Sequence, residues 1–315
     1  MSGEQIPGVR IFTIGETTYD ISFRDGNPVG ACSGGSAYNS AISLGRCRLP
    51  VSLISTFGND RVGDLSMAFL VQNGVNGDLI KRFNGQSRIA LAFFDSDNNA
   101  EYSFYQASKD VFPDYPDPRR NDILLLGSSF ALRDNGREEL VSFLLRAKTA
   151  GCIIIYDPNA RQQVSGKPDI LNKILENISL ATIVKGSDQD FRNIFGLENG
   201  LSVYSHISEP GKKTLVYTKG ADGAELHTPD YHLVTAAKET RVVSTIGAGD
   251  NFTAGIVYGI YNYFVNNQLP EALTFNNWEG IMNSGTLFAS EVCGSRENYL
   301  PEETAKRLLS GQIIL

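Results

Sequence analysis

Cysteine and histidine are scarce in this 315-residue chain, and no long apolar run occurs in it. Its cysteines, Cys32, Cys47, Cys152 and Cys293, include no C-x-x-C pair, and His206, His227 and His232 lie away from them in sequence. No zinc module of that kind is therefore expected, and a disulfide framework would be out of place in so long a chain. Reduced thiols in a cytoplasmic protein is the expectation. Apolar runs such as Ile123–Leu126 and Cys152–Tyr156 are short, and none approaches the ~20 residues that a membrane helix needs. Met1 to Arg10 has no basic segment leading into an apolar one, so no secretory leader is expected. Positive charge is in deficit: 28 Lys and Arg against 35 Asp and Glu give a net −7. That balance argues against nucleic acid or an anionic membrane as partner. Two N-x-S/T sequons, at Asn177 and Asn251, read as chance matches. Repeats, low-complexity tracts and long linkers are missing too. With 42% hydrophobic and 20% charged residues, the chain can bury a core as one large domain, with or without an insertion.

From about residue 120 short apolar runs alternate with helical periodicity. Ile123–Leu126 reads as a strand, Arg133–Lys148 as a helix, Cys152–Tyr156 as a strand, Pro168–Asn177 as a helix and Leu180–Lys185 as a strand. Ser187, with Asp190 three residues on, reads as the N-cap of another helix. This βαβ alternation predicts a doubly wound α/β fold, a mostly parallel sheet with helices on both faces. The first half adds strands at Val9–Ile14 and Val51–Phe57, a helix over Ser36–Arg46, and a helix capped by Asp60 that runs to about Asn73. Asp20–Phe23, Arg88–Asp95 and Ala100–Tyr105 have another character, and Asp97-Asn98-Asn99 suits a hairpin turn. Locally paired antiparallel strands do not belong inside a doubly wound sheet. They predict a small β-sheet projecting from it.

The segment richest in chemistry runs from Val242 to Gly255. An apolar stretch enters Gly247-Ala248-Gly249, and a helix follows with Ile256, Ile260 and Phe264 on one side. Glycines let backbone N–H groups approach a ligand, and a helix N-terminus offers free donors and a positive dipole end to an anion. Asp250 follows at once. Its charge would repel a phosphate, so it suits the role of a base that accepts a proton from an attacking hydroxyl. It could equally be an acid that stabilises a helix start. The spacing is no dinucleotide fingerprint, since the third glycine would fall at Phe252, and Gly211-Lys212-Lys213 lacks the rest of a phosphate-binding P-loop. A second segment, Ser33-Gly34-Gly35-Ser36-Ala37-Tyr38-Asn39, sets a Gly-Gly pair before a helix. Asn39 would sit in the first turn with its amide free for hydroxyls, or the segment is only a loop with Ser36 as N-cap.

Together these segments resemble the ribokinase-like (PfkB-type) carbohydrate kinases. Gly34 to Asn39, continued by Gly58-Asn59-Asp60-Arg61-Val62-Gly63, looks like that family's first signature, and Thr245 to Phe252 looks like its second. Asp157-Pro158-Asn159-Ala160-Arg161 and Thr218-Lys219-Gly220-Ala221-Asp222-Gly223 fall in the right order between them. The resemblance spans essentially the whole chain. It implies a ribokinase-like fold with a β lid over residues 16–35 and 88–112, closing on the sugar and able to form a homodimer contact. It implies ATP and Mg²⁺ as cofactors and a small sugar as substrate. Asp250 would be the catalytic base, with the Gly247, Ala248 and Gly249 amides as anion hole. Asp20, Gly34, Gly35, Asn39 and Tyr105 would bind the sugar, with Arg161 near the phosphates. Lys185, Ser187, Thr218, Gly220, Gly223 and Asn283 would serve the nucleotide, and Asp190 the Mg²⁺ through water.

Within the family, Gly15-Glu16, Ser103-Phe104-Tyr105 and Lys185-Gly186-Ser187-Asp188 look most like fructokinases. Keto-deoxy-gluconate kinases, nucleoside kinases and a sugar-sensing protein without turnover are the alternatives. Three departures bear on the choice. Ser244 replaces an aspartate that helps relatives to hold a monovalent cation, which leaves that cation open. Gln106 replaces an arginine suited to acidic substrates. Ser187 and Asp190 replace the family's Asn and Glu. The histidines are expected on the surface or in loops, Arg119-Arg120 and Lys212-Lys213 as solvated pairs, Trp278 in helix packing and Cys293 as a buried thiol.

Overall fold

The computed structural model describes residues 8–95, 100–105, 111–208, 213–266 and 273–313. Its strands are β1 (Ile11–Ile14), β2 (Thr18–Arg24), β3 (Asn27–Gly34), β4 (Val51–Gly58), β5 (Ile80–Phe83), β6 (Ile89–Phe94), β7 (Ala100–Tyr105), β8 (Ile123–Gly127), β9 (Ile153–Asp157), β10 (Ile183–Ser187), β11 (Thr214–Thr218), β12 (Ala224–His227) and β13 (His232–Thr235). Its helices are α1 (Ser36–Arg46), α2 (Arg61–Gln72), α3 (Arg137–Ala150), α4 (Pro168–Leu180), α5 (Asp188–Phe195), α6 (Gly200–Ile207), α7 (Ala248–Asn266), α8 (Phe275–Cys293) and α9 (Glu302–Leu309).

The large sheet has the order β13-β12-β11-β10-β9-β8-β1-β4-β5. From β11 to β5 all neighbours are parallel, and β12 and β13 add an antiparallel edge. Side chains alternate across it, so each strand feeds two cores. Ile11, Leu53, Ile123, Leu125 and Ile155 join α1, α7 and α8 through Tyr38, Ile42, Phe252, Ile256 and Phe288. Phe12, Ile14, Leu124, Ile154 and Tyr156 join α3, α4 and α5 on the other face through Phe143, Ile174 and Phe191. Trp278 is buried in the first core, as expected of a packing residue.

β3-β2-β6-β7 form the second, smaller sheet. The expected local antiparallel pairing holds for β2–β3 and for β6–β7, but β2 and β6 join them in parallel. Two hairpins lie side by side, so their shared seam takes the other sense. The Asp97-Asn98-Asn99 turn and Gln106 lie outside the described residues.

Other departures have local causes. The helix expected from Arg133 begins at Arg137, because Gly136 takes a left-handed conformation and Ser129–Leu132 form a short 3-10 turn. The helix expected to stop at Asn177 runs to Leu180, which is buried by its last turn. Ser187 caps α5 as expected, in a reciprocal box with Asp190. Lys213 is no solvated cation: it is buried, and its Nζ donates to the carbonyls of Ile178, Ser179 and Ala181 at the end of α4. Gly211 and Lys212 lie outside the described residues. His227 is a buried strand residue rather than a surface one, while His206 and His232 are exposed. Cys293 is half-buried. Both sequon asparagines are buried, Asn177 with its amide on the Ala131 carbonyl.

Candidate active site

In open α/β sheets ligands collect beyond the carboxyl ends of the strands. A cleft of about 430 Å³ lies there, lined by Ile14, Gly127 and Asp157 at the ends of β1, β8 and β9. The small sheet roofs it with Thr18, Asp20, Tyr102 and Phe104. The starts of α1 and α7 form its floor, from Gly35 to Asn39 and from Gly247 to Asp250.

Asp250 is the chemical centre of that floor. Ser36 Oγ donates to its Oδ1 at 2.6 Å and Asn39 Nδ2 to its Oδ2 at 2.8 Å. Ser40 Oγ holds its backbone carbonyl at 3.0 Å. Beside it, Asn251 is fully buried, accepts from Ser43 Oγ and donates to the Gly247 and Asn298 carbonyls. α1 thus grips the first turn of α7 through four polar side chains. Gly247 has φ 78°, and a Cβ there would stand 2.5 Å from the Asn298 carbonyl oxygen. Only glycine fits that turn without strain. Of the three expected anion-hole amides, Ala248 N–H donates within the turn to the Thr245 carbonyl at 3.3 Å.

Two expectations for this region need correction. Asn39 does not present a free amide to the cleft: its N–H group is spent on Asp250, and its buried Oδ1 is the atom without a partner. Ser36 is not the N-cap of α1; Gly35 is, and the serine hydroxyl serves Asp250 instead.

Asp20 faces the cleft from β2, its Oδ1 accepting from Thr18 Oγ1 at 2.7 Å. Burial pushes its carboxyl above the usual range, against the pull of that bond and of Arg161 and Arg88. A Cβ at Gly34 would stand 2.5 Å from Asp20 Oδ2, so this glycine makes room for the carboxylate rather than lining the cleft. Tyr105 is corrected too. Strand alternation gives the cleft Tyr102 and Phe104, while Tyr105 is exposed and absent from its lining. Arg161 stands on the lid side, with its guanidinium 5.9 Å from the Tyr102 ring.

Sequence reasoning quoted Asp157 but gave it no task. It forms a buried ion pair with Lys185 at 2.8 Å, and Thr253 Oγ1 donates to the same oxygen. Burial opposes the charge on Lys185, yet Asp157, Asp190 and Asp250 outweigh it and raise its pKa. Its Nζ lies close to Gly249. Lys185 is thus the cation under the glycine turn, held by a carboxylate rather than free in the cleft. Glu16 was also given no role. It lines the cleft and accepts from Arg88, Arg133 and Ser129, an arrangement spread over more than a hundred residues of sequence.

The expected nucleotide residues fall outside this cleft. Ser187 and Thr218 pair across the ends of β10 and β11, Gly220 and Gly223 bound the next turn, both with positive φ, and Asn283 is half-buried on α8.

Residues 10–302 match the pfkB family carbohydrate kinases. The chain belongs to that family. It is a phosphotransferase that acts on a sugar hydroxyl. It is 30% identical over 231 residues to a fructokinase of Rhizobium leguminosarum bv. trifolii, covering 71% of this chain and 70% of that one. It is 26% identical over 282 residues to the aminoimidazole riboside kinase of Salmonella typhimurium, covering 87% and 88%. The crystal structure of the Salmonella enterica aminoimidazole riboside kinase with aminoimidazole riboside and an ATP analog superposes with a TM-score of 0.80 at 22% identity, over 95% of this chain and 99% of that one. The doubly wound sheet with its small second sheet is therefore the family's fold.

Proposed function

We propose that this kinase transfers the γ-phosphoryl of ATP to a primary hydroxyl of a small neutral sugar, fructose by preference. The observation that carries the reading is the placement of Asp250. Its carboxylate stands at the start of α7, held on both oxygens by neutral donors, in one cleft with Asp20 and the Gly247 turn. A carboxylate so fixed accepts the proton of an attacking hydroxyl as the phosphoryl departs. Free amides at the helix start, with Gly249 among them, take the charge of the transferring group. Asp20, Gly35 and the Asn39 oxygen hold sugar hydroxyls, and the lid excludes water.

ATP lies along the ends of β10 and β11, over Ser187, Thr218 and the Gly220–Gly223 turn, with Asn283 on the adenine side. The likeness to a riboside kinase solved with an ATP analog supports ATP as the phosphoryl donor. Mg²⁺ prefers hard oxygens and keeps much of its water. Asp190 suits that need, since its buried carboxylate spends Oδ2 on Ser187 and can offer Oδ1 to a metal-bound water. A bound Mg²⁺ would neutralise phosphate charge. Ser244 Oγ accepts from the Ile246 N–H, which turns it into its own loop and assigns no monovalent cation. Exposed Val29, Phe93 and Tyr105 on the lid support a homodimer through it. Among the described residues no helix is long and apolar enough to cross a membrane, and we place the enzyme in the cytoplasm.

A sugar acid is the second reading. Arg161 stands in the cleft beside Asn159, the Tyr102 ring and the Asp20 carboxyl, while Arg88 is tied to Glu16. An ADP-release panel over neutral ketoses, aldoses, sugar acids and nucleosides decides between them. Asp250→Asn is expected to lower kcat by about 10²–10⁴-fold with little change in sugar KM. Turnover within a few-fold of wild type would reject the role of Asp250.

A further inference from the structure

The outer edge of the large sheet carries a second set of chemical groups, away from the cleft. The β12–β13 register places His227 directly opposite His232 and Glu225 opposite Val234. Alternation puts Glu225 and His227 on one face of β12, and the facing His232 shares it. Glu225 Oε2 lies 3.1 Å from His227 Nε2 and 4.0 Å from His232 Nε2. The three donor atoms all fall within 4.8 Å of one another. A tetrahedral zinc ion, with metal–ligand distances of about 2.0–2.2 Å, sets its donors roughly 3.4 Å apart. The two distances to Glu225 bracket that value, and His232, at 56% side-chain exposure, is free to close the rest.

The surroundings are built as a support for these groups. Glu225 Oε1 is held by Lys219 Nζ at 2.8 Å, which aims Oε2 at the histidines. Ligating carboxylates are commonly fixed this way by an outer partner. Tyr204 on α6 stacks on His227 at 5.6 Å, and His232 stacks on it at 4.5 Å. Gly200, the first residue of α6, packs close above them: a Cβ there would lie 2.5 Å from Oε2 and 2.7 Å from Nε2.

We propose that Glu225, His227 and His232 form a site for a divalent transition metal of zinc type, which staples the edge strand β13 to β12. Two imidazole nitrogens and one carboxylate oxygen suit zinc and not Mg²⁺, which takes oxygen ligands. The exposed side of His232 leaves the fourth position to water. This inference stands apart from the kinase reading, since none of the three residues lines the cleft.

The test uses the full-length, tag-free, nucleotide-free protein after chelator treatment. Zn²⁺ is titrated by calorimetry, and Co²⁺ by its d–d absorption. The variants are His232→Ala, Glu225→Gln, and a Cys32→Ser, Cys293→Ser double substitution as the thiol control. Because His232 is exposed, its replacement leaves the fold intact, which circular dichroism checks. The expected result is one zinc per chain in the wild type and the cysteine variant, weakened at least about tenfold in His232→Ala and in Glu225→Gln. No zinc uptake by the wild type, zinc affinity in His232→Ala within about threefold of wild type, or loss of binding in the cysteine variant would each overturn the proposal.

Discussion

Replacing Lys185 by methionine tests the ion pair beneath the glycine turn. Both partners are nearly buried, with side-chain exposures of 5% for Lys185 and 6% for Asp157, and they meet at 2.8 Å. Among the described residues Asp157 Oδ1 has no partner, so its charge depends on what reaches Oδ2: Lys185 and the Thr253 hydroxyl. Without the ammonium, one neutral donor remains for a buried carboxylate. Breaking such a pair costs about 3–5 kcal/mol. At about 2–4 °C per kcal/mol for a large domain, Tm should fall by roughly 6–20 °C. Asp157→Asn strands the ammonium instead and should cost a similar amount. The double substitution Lys185→Met, Asp157→Leu removes both charges and should recover most of the loss, because apolar replacements of a buried pair are often neutral or better. Urea unfolding and calorimetry of the ligand-free protein read this cycle. Single variants within about 1 kcal/mol of wild type would refute the reasoning. If Lys185→Met then lost activity at unchanged stability, the lysine would act on phosphates rather than on Asp157.

Two further outcomes follow from the same geometry. The Asp20 carboxyl has a folded pKa raised above 3.8, so its favourable contribution is complete below the unfolded value and is lost as pH rises through the folded one. Asp20→Asn should therefore raise the Tm of the sugar-free protein at pH 7, with the gap closing below pH 3.8, while sugar binding is lost; a lower Tm at pH 7 would contradict this. Gly247→Ala forces a left-handed alanine, at about 1–2 kcal/mol, and a clash with the Asn298 carbonyl, so both Tm and kcat should fall. A variant with wild-type melting and ADP release would show that the turn relaxes freely.

Much of the fold is legible from local pattern because each element announces itself within a few residues. The apolar runs of β8 and β9, the Asp60 cap and the Ser187–Asp190 box are of this kind. What stayed hidden was set by partners distant in sequence. The amide of Asn39 goes to an aspartate 211 residues away, which no local reading reveals. Asp157 needs Lys185, Glu16 needs Arg88 and Arg133, and Lys213 needs the end of α4. Tyr105 was misplaced for a subtler reason: a shift of one residue along a strand changes the face. The histidines carry no signal in sequence, since the family's chemistry needs none and only strand pairing brings His227 and His232 together.

The cleft is lined by four carboxylates; Glu16 is tied to Arg88 and Arg133, and the surroundings of Asp157, Asp20 and Asp250 divide the labour among those three. Groups of one kind take different roles when their environments push them apart. Asp157 is buried against a lysine whose charge is reinforced from three sides, so taking a proton there would leave that ammonium without its counter-ion. Burial pushes the Asp157 pKa up against the pull of Lys185, so it is the ion pair itself that makes Asp157 a poor base. Asp20 is held back from ionising by burial and faces the lid, where a carboxyl that accepts and donates hydrogen bonds suits a polyol better than a reacting centre. Asp250, half-buried like Asp20, is bound through its carboxylate by a hydroxyl and an amide and is seated where the α7 backbone offers its free N–H groups. A proton arriving there displaces no ion pair. The base is thus singled out by what does not touch it: among the described residues no cation pairs with Asp250, and the nearest strong one, Lys185, is already spent on its neighbour.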